Sequence, residues 1–279
     1  MISVVMPAHN EEKFIARSLR AITKGAPPDQ MEVVVVCNGC SDKTAEVARS
    51  IPGPITVIES DIPSKVQSLN IGDKLVSSFP RFYVDSDIIF TFADLKKVAD
   101  ELEKVGVLAA APEFIFDDST ASSAVKAYYR VWRRMPYFES GRIAGAYGLS
   151  EEGRRRFEEF PDIIADDGFV RLHFHPSERV TVKSSSVVVT TPRDLANLIK
   201  IKSRSHGGTY ELRKKYPKLF NNETTSPTLS LKRMIEQKVS IKDSLIYIYV
   251  SLVAKFKGKM NQFTGRKKWE RDESSRIKS

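Results

Sequence analysis

Asp85, Ser86 and Asp87 follow an apolar run, Arg81-Phe82-Tyr83-Val84, that reads as a short strand. Two carboxylates one residue apart face the same way if the chain stays extended, because side chains alternate along a strand. Such a pair can hold a hard cation, Mg2+ or Mn2+, which then bridges the phosphate oxygens of a nucleotide. A second acidic pair, Asp166-Asp167, would suit a helix N-terminus, whose dipole favours negative charge. Cys37-Asn38-Gly39-Cys40, between a strand and a helix, has the layout of a thiol–disulfide redox motif, and a helix N-terminus would make one of its thiols reactive. Two sulfurs cannot complete a four-ligand zinc site.

The elements that must position these groups alternate. Ile2 to Met6 is an apolar run stopped by Pro7, and Asn10 has the composition of a helix cap ahead of Phe14, Ile15, Leu19 and Ile22. Glu32 to Val36 reads as a second strand, with Ser41 or Asp42 capping a helix through Val47 and Ala48, and Ile55 to Ile58 as a third. Helices over Val66–Ser77, Leu95–Val105 and Ala121–Met135 flank strands at 81–84 and 107–111, a Gly-rich extended segment from Ile143 to Leu149, and a strand over 180–189. This alternation predicts an α/β fold with a mainly parallel sheet covered by helices on both faces. In such sheets ligands bind at the carboxyl ends of strands, which is where Asp85 to Asp87 falls.

The chain has 279 residues, 41% hydrophobic and 28% charged, an ordinary globular composition. Its net charge of +9 is uneven: residues 200–279 hold 20 Lys and Arg against 7 Asp and Glu, a surplus of 13, which leaves −4 for residues 1–199. A basic C-terminal region can serve anionic lipid, nucleic acid or pyrophosphate, or only a solvated face. Two cysteines fit a reducing cytosol, and neither a secretory signal nor an 18-residue apolar run is present, so a cytoplasmic protein is expected. Ser240 to Phe256 is apolar and Lys-bounded, too short to span a membrane but able to lie on its inner surface or to pack on its own domain.

At several separated places, in order, the chain resembles the family 2 glycosyltransferases, inverting enzymes with a GT-A (Rossmann-like) fold. Val4 to Glu12 is similar to that family's first strand and nucleotide loop, Val35 to Thr44 to its second strand and turn, and Asp85-Ser86-Asp87 to its DxD motif. Lys65 and Asn70 match a Lys and an Asn ahead of that motif, Gly145-Ala146-Tyr147 an acceptor-side strand, and Asp166-Asp167 a Glu-Asp pair. The resemblance covers roughly residues 2–208. It implies a nucleoside-diphosphate-sugar donor lined by Pro7, Ala8, His9, Glu11, Cys37, Asn38, Lys65, Asn70, Asp85 and Ser86. It also implies Asp87, with Asp85, on the metal, and Asp167, beside Asp166, as general base. Cys37 stands where the family commonly carries an Asp that pairs with uracil, which leaves the base open. Lys200 to Gly208 occupies the place of the family's Arg-rich segment, so Arg204 is expected on the leaving diphosphate and His206 as a candidate metal ligand.

The expected organisation is a catalytic domain over 1–190, with a nucleotide-sugar half (1–90) and an acceptor half (91–190), followed by a basic helical extension over 191–279. Residues 266–276 read either as a segment that folds back over the donor site, with Trp269 as anchor, or as a disordered basic tail. The expected activity is transfer of a sugar to a saccharide or lipid-linked acceptor in polysaccharide or glycolipid biosynthesis, without nucleic acid. The rivals are a nucleotidyltransferase, which would need a Gly-rich basic loop where Pro7 to Glu12 is acidic and lacks glycine, and a non-catalytic membrane- or nucleic-acid-binding protein.

Overall fold

The structure is a computed structural model that describes residues 1–27, 29–138, 141–223 and 226–263. The expected fold-back segment at 266–276, Trp269 included, lies outside the described residues. The strands are β1 (Ile2–Ala8), β2 (Met31–Asn38), β3 (Ile55–Ser60), β4 (Arg81–Val84), β5 (Ala109–Asp117), β6 (Ala146–Leu149) and β7 (Arg179–Thr190). The helices are α1 (Ile15–Thr23), α2 (Thr44–Arg49), α3 (Lys65–Leu75), α4 (Phe92–Leu102), α5 (Ser123–Trp132), α6 (Glu151–Arg154), α7 (Asp166–Leu172), α8 (Leu195–Lys215), α9 (Pro227–Glu236) and α10 (Ile241–Phe263).

The strands form one seven-stranded sheet in the order β3-β2-β1-β4-β6-β5-β7. β3, β2, β1 and β4 run parallel, whereas β6 runs antiparallel to both β4 and β5. The expected mainly parallel α/β sheet is therefore present, with one reversed strand at its middle. Alternation sorts the side chains of β1 and β2. Val4, Met6, Val33, Val35 and Cys37 join Ile15, Leu19 and Ile22 of α1 in the main core. Val5 and Val36 turn to the opposite face, where α3 approaches so closely that a Cβ on Gly72 would lie 2.5 Å from Val5 Cγ1.

Two compact units are each assembled from separate stretches of chain. One comprises residues 1–114, 141–162 and 173–187, the other 115–140, 163–172 and 188–279. Residues 115–140 and 163–172 thus cluster with the basic C-terminal helices rather than with the remainder of 1–190. In the first unit Asp73 of α3 is buried and accepts from Arg81 Nη1 at 2.7 Å, Arg154 Nη2 at 2.6 Å, Arg154 Nε at 3.0 Å and the Tyr83 hydroxyl. In the second, Phe116, Tyr128, Tyr129 and Trp132 form an aromatic group, with Lys202 Nζ 3.2 Å from the centre of the Trp132 ring. Gly208 of α8 lies against Ala165, where a Cβ would come within 3.1 Å of its backbone nitrogen.

Candidate active site

The site begins at the carboxyl ends of β1 and β2, whose loops are tied to each other by side chains. Asn38 donates from Nδ2 to the Ala8 carbonyl at 2.9 Å, and the His9 imidazole contacts the Asn38 carbonyl. The Glu11 N–H donates to Thr44 Oγ1 at 2.7 Å, the Glu12 N–H to Asp42 Oδ2 at 3.2 Å, and the Lys43 N–H to Glu12 Oε2 at 3.1 Å. Asn10 is not the cap of α1. It sits in the left-handed region at φ 52° and its Oδ1 accepts the Ser41 N–H at 2.8 Å, while Phe14 holds the cap position. Lys43, not Ser41 or Asp42, holds the cap position of α2, although Asp42 Oδ1 receives the Thr44 N–H at 3.0 Å. Acids and hydroxyls that resemble local caps in the sequence are thus spent on bracing one loop against the other.

Pro7, Ala8, Glu11, Cys37 and Asn38 are buried here and His9 is half-buried. Gly39 is obligatory at this turn: its φ is +52° and a Cβ would meet Pro63 Cβ at 2.8 Å. Burial pushes the Cys37 thiol up to about 12, helped by Cys40 and Glu59. A reactive redox cysteine needs the opposite shift, so Cys37 does not fit that role.

β4 delivers the acidic triplet, but not in extended form. The Ile88 N–H donates to the Asp85 carbonyl at 3.1 Å, closing a turn with Ser86 and Asp87 at its centre. The strand alternation invoked for Asp85 and Asp87 therefore does not apply to them. Ser86 is buried, Asp85 half-buried and Asp87 exposed. The turn is held by β6's approach, where the Asp85 N–H donates to the Gly145 carbonyl at 2.7 Å. Gly145 has φ +61°, and a Cβ there would stand 2.9 Å from Ile88 Cδ1. Lys65, at the start of α3 behind the Ser64 cap, places Nζ 2.8 Å from Asp85 Oδ1. Five residues on, Asn70 is bonded to the Phe160 backbone in both directions, at 2.9 and 2.8 Å, which fastens α3 to the segment after α6.

Among the described residues no group of three or more His, Cys, Asp and Glu forms a complete metal shell. Asp85 and Asp87 carry carboxylate oxygens, the donor type that suits Mg2+ or Mn2+, ions that keep coordination positions for water and phosphate oxygens.

The remaining expected residues belong to the second unit. Asp166 and Asp167 open α7, Asp166 buried and Asp167 half-buried, with Asp167 Oδ1 accepting the Gly168 N–H at 2.7 Å. Arg171, one turn on, pairs with Glu223 at 2.6 Å. Arg204 and His206 lie within α8. His206 borders Gly258 of α10, and burial first, then Lys255 and Lys202, pushes its imidazole down to about 4. Sequence reasoning missed the Asp73–Arg81–Arg154 network, which reaches 81 residues along the chain from Asp73 to Arg154, and the loop braces such as Glu12 to Asp42, 30 residues apart.

Solved structures share this fold. A mannosyltransferase from Pyrobaculum calidifontis, in complex with GDP-Man and Mn2+, matches 95% of this chain and 88% of its own at a TM-score of 0.66 and 15% identity. Glucosyl-3-phosphoglycerate synthase from Mycobacterium tuberculosis matches 77% of this chain and 79% of its own at TM-score 0.55 and 19% identity, in complex with Mn2+, UDP-glucose and phosphoglyceric acid. The same synthase with Mg2+ and UDP matches at TM-score 0.53 and 17% identity, over 77% of this chain and 78% of its own. No curated protein matches the chain. The family model described as glycosyl transferase family 2 matches residues 3–152, just over half of the sequence, and the chain belongs to that family.

Proposed function

We propose that this protein transfers a sugar from a nucleoside diphosphate to an acceptor hydroxyl, with inversion at the anomeric carbon and with Mg2+ or Mn2+ bound. The observation that carries this reading is the half-buried Asp85, tied to Lys65 at the carboxyl end of β4, inside the stretch matched by the family model. The nucleoside diphosphates and metals bound by the Pyrobaculum and Mycobacterium proteins support it.

Pro7, Ala8, His9, Glu11, Cys37 and Asn38 border the nucleoside, and Lys65, Asn70, Asp85 and Ser86 the remainder of the donor. Asp85 and Asp87 would hold the cation, which when bound would neutralise charge on the diphosphate. Arg204 binds the same leaving group, whose charge grows as its bond to the sugar breaks. Asp167, with Asp166 beside it, takes the proton of the acceptor hydroxyl as that oxygen attacks the anomeric carbon from the opposite side. The acceptor is a saccharide or a lipid-linked saccharide, and the protein works in the cytoplasm in polysaccharide or glycolipid biosynthesis.

Thermal melting with UDP-, GDP-, ADP- and TDP-sugars, each with and without Mn2+, tests the donor side, because a ligand of the folded form raises its melting temperature. At least one sugar nucleotide is expected to stabilise the protein only with metal. Silence from all of them, or an Asp167→Asn protein with full transfer rate, overturns the assignment.

A further inference from the structure

α10 has two contrasting faces. Its inner face packs within the second unit: Val250 and Ala254 are buried, Tyr247 stacks on Tyr128 at 5.2 Å between ring centres, and Gly258 closes on Ser203 and Gly207 of α8. Its outer face carries Ile241, Leu245, Ile248, Leu252, Phe256 and Met260, at spacings that fall on one side of a helix. All six are exposed, Ile241 at 80%, Leu252 at 63% and Phe256 at 67%. Single exposed apolar residues are ordinary, but a continuous row of them along a helix marks a contact surface.

The charges along the helix indicate what covers it. Lys242, Lys255, Lys257 and Lys259 accompany the row, and Asp243, the one acid between 241 and 263, is held by Arg130 at 2.7 and 2.8 Å. A second copy laid face to face would oppose lysine to lysine with no acid to meet them. A surface that offers both apolar depth and negative charge is the interface of a bilayer containing anionic lipid, which takes apolar side chains into the acyl boundary and ammonium groups among the head groups. Among the described residues no helix is long and apolar enough to cross a membrane, so contact would be in the plane of the surface. We propose that the outer face of α10 is a docking surface for an anionic lipid bilayer.

Vesicle flotation of the full chain tests this, with phosphatidylcholine vesicles containing about 30 mol % phosphatidylglycerol against phosphatidylcholine alone. The protein is expected to float with the anionic vesicles and much less with the neutral ones. The Leu252→Glu/Phe256→Glu double variant is expected to lose at least about tenfold in partitioning at unchanged melting temperature. If that variant melts lower, Ile241→Gln/Leu245→Gln replaces it, and about a threefold loss is expected. Equal flotation of wild type and folded variant, or no flotation of either, overturns the proposal. So does a wild-type dimer, seen by sedimentation, that the variant dissociates, since a second copy would then be the occupant. Flotation that appears only in a chain ending at residue 263 overturns it as well, because the terminal residues would then be the cover.

Discussion

Lys65 Nζ lies 2.8 Å from Asp85 Oδ1, joining the first residue of α3 to the first residue beyond β4. The pair is too accessible to matter much for stability, about 1 kcal/mol or less. Its consequence should appear in donor binding and turnover. Asp85→Asn is expected to lower kcat/KM by about 100-fold or more and Lys65→Ala by about 10-fold or more, each with a melting temperature near wild type. Initial rates under Mn2+ titration check this; an Asp85→Asn enzyme with wild-type metal dependence would remove the residue from the site.

Gly145 sets the height of the Asp85 turn. In Gly145→Ala, the left-handed backbone at φ +61° and the 2.9 Å approach to Ile88 act together, and a loss of about 1–3 kcal/mol is expected. Gly106→Ala is the control, because its φ is +83° but nothing lies within 4 Å of the added Cβ. Urea midpoints should fall further for Gly145→Ala than for Gly106→Ala, and only the first should also reduce turnover.

Burial raises the Asp73 carboxyl, but hydrogen bonds from Arg154, Tyr83 and Arg81 outweigh it and hold the group below its ordinary 3.8. Asp73→Asn leaves the buried Arg81 and the half-buried Arg154 guanidinium groups short of their counter-charge, at a cost of about 3–5 kcal/mol. Because the folded value is depressed, the carboxylate's contribution is complete above pH 3.8 and fades as pH falls through the lower, folded value. Urea midpoints between about pH 2 and 6 should therefore decline in the wild type and less so, from a lower plateau, in Asp73→Asn.

His206 produces an acid response at higher pH. The unfolded chain binds a proton near 6.5, whereas the folded imidazole resists until about 4. Folding stability is therefore complete above 6.5 and is lost as pH falls toward 4, by an amount of about 1–3 kcal/mol after allowance for partial exposure. His206→Asn should remove this slope. If stability between pH 6.5 and 4 falls equally in both proteins, the imidazole is not the responsible group.

Sequence alone determined what depends on periodicity and on chain direction. The apolar runs of β1, β2 and β4 and the i, i+4, i+7 spacing of Ile15, Leu19 and Ile22 specify strands and a helix locally, and the alternation specifies an α/β sheet. The family was legible as well, because the stretch that its model matches, residues 3–152, begins with those strands. Tertiary structure decided what depends on partners distant in the chain. β6 is antiparallel because it pairs with β4 and β5, and a four-residue strand carries no mark of its direction. Asn10 faces Ser41 rather than α1, and Asp85 turns because the Gly145 carbonyl meets its N–H from 60 residues away. The grouping of 115–140 and 163–172 with the C-terminal helices was equally hidden, since burial against a remote segment leaves no local pattern. Composition marked α10 as apolar and basic, but which of its faces is packed and which is bare depends on the approach of α5 and α8, and that is a property of the folded chain.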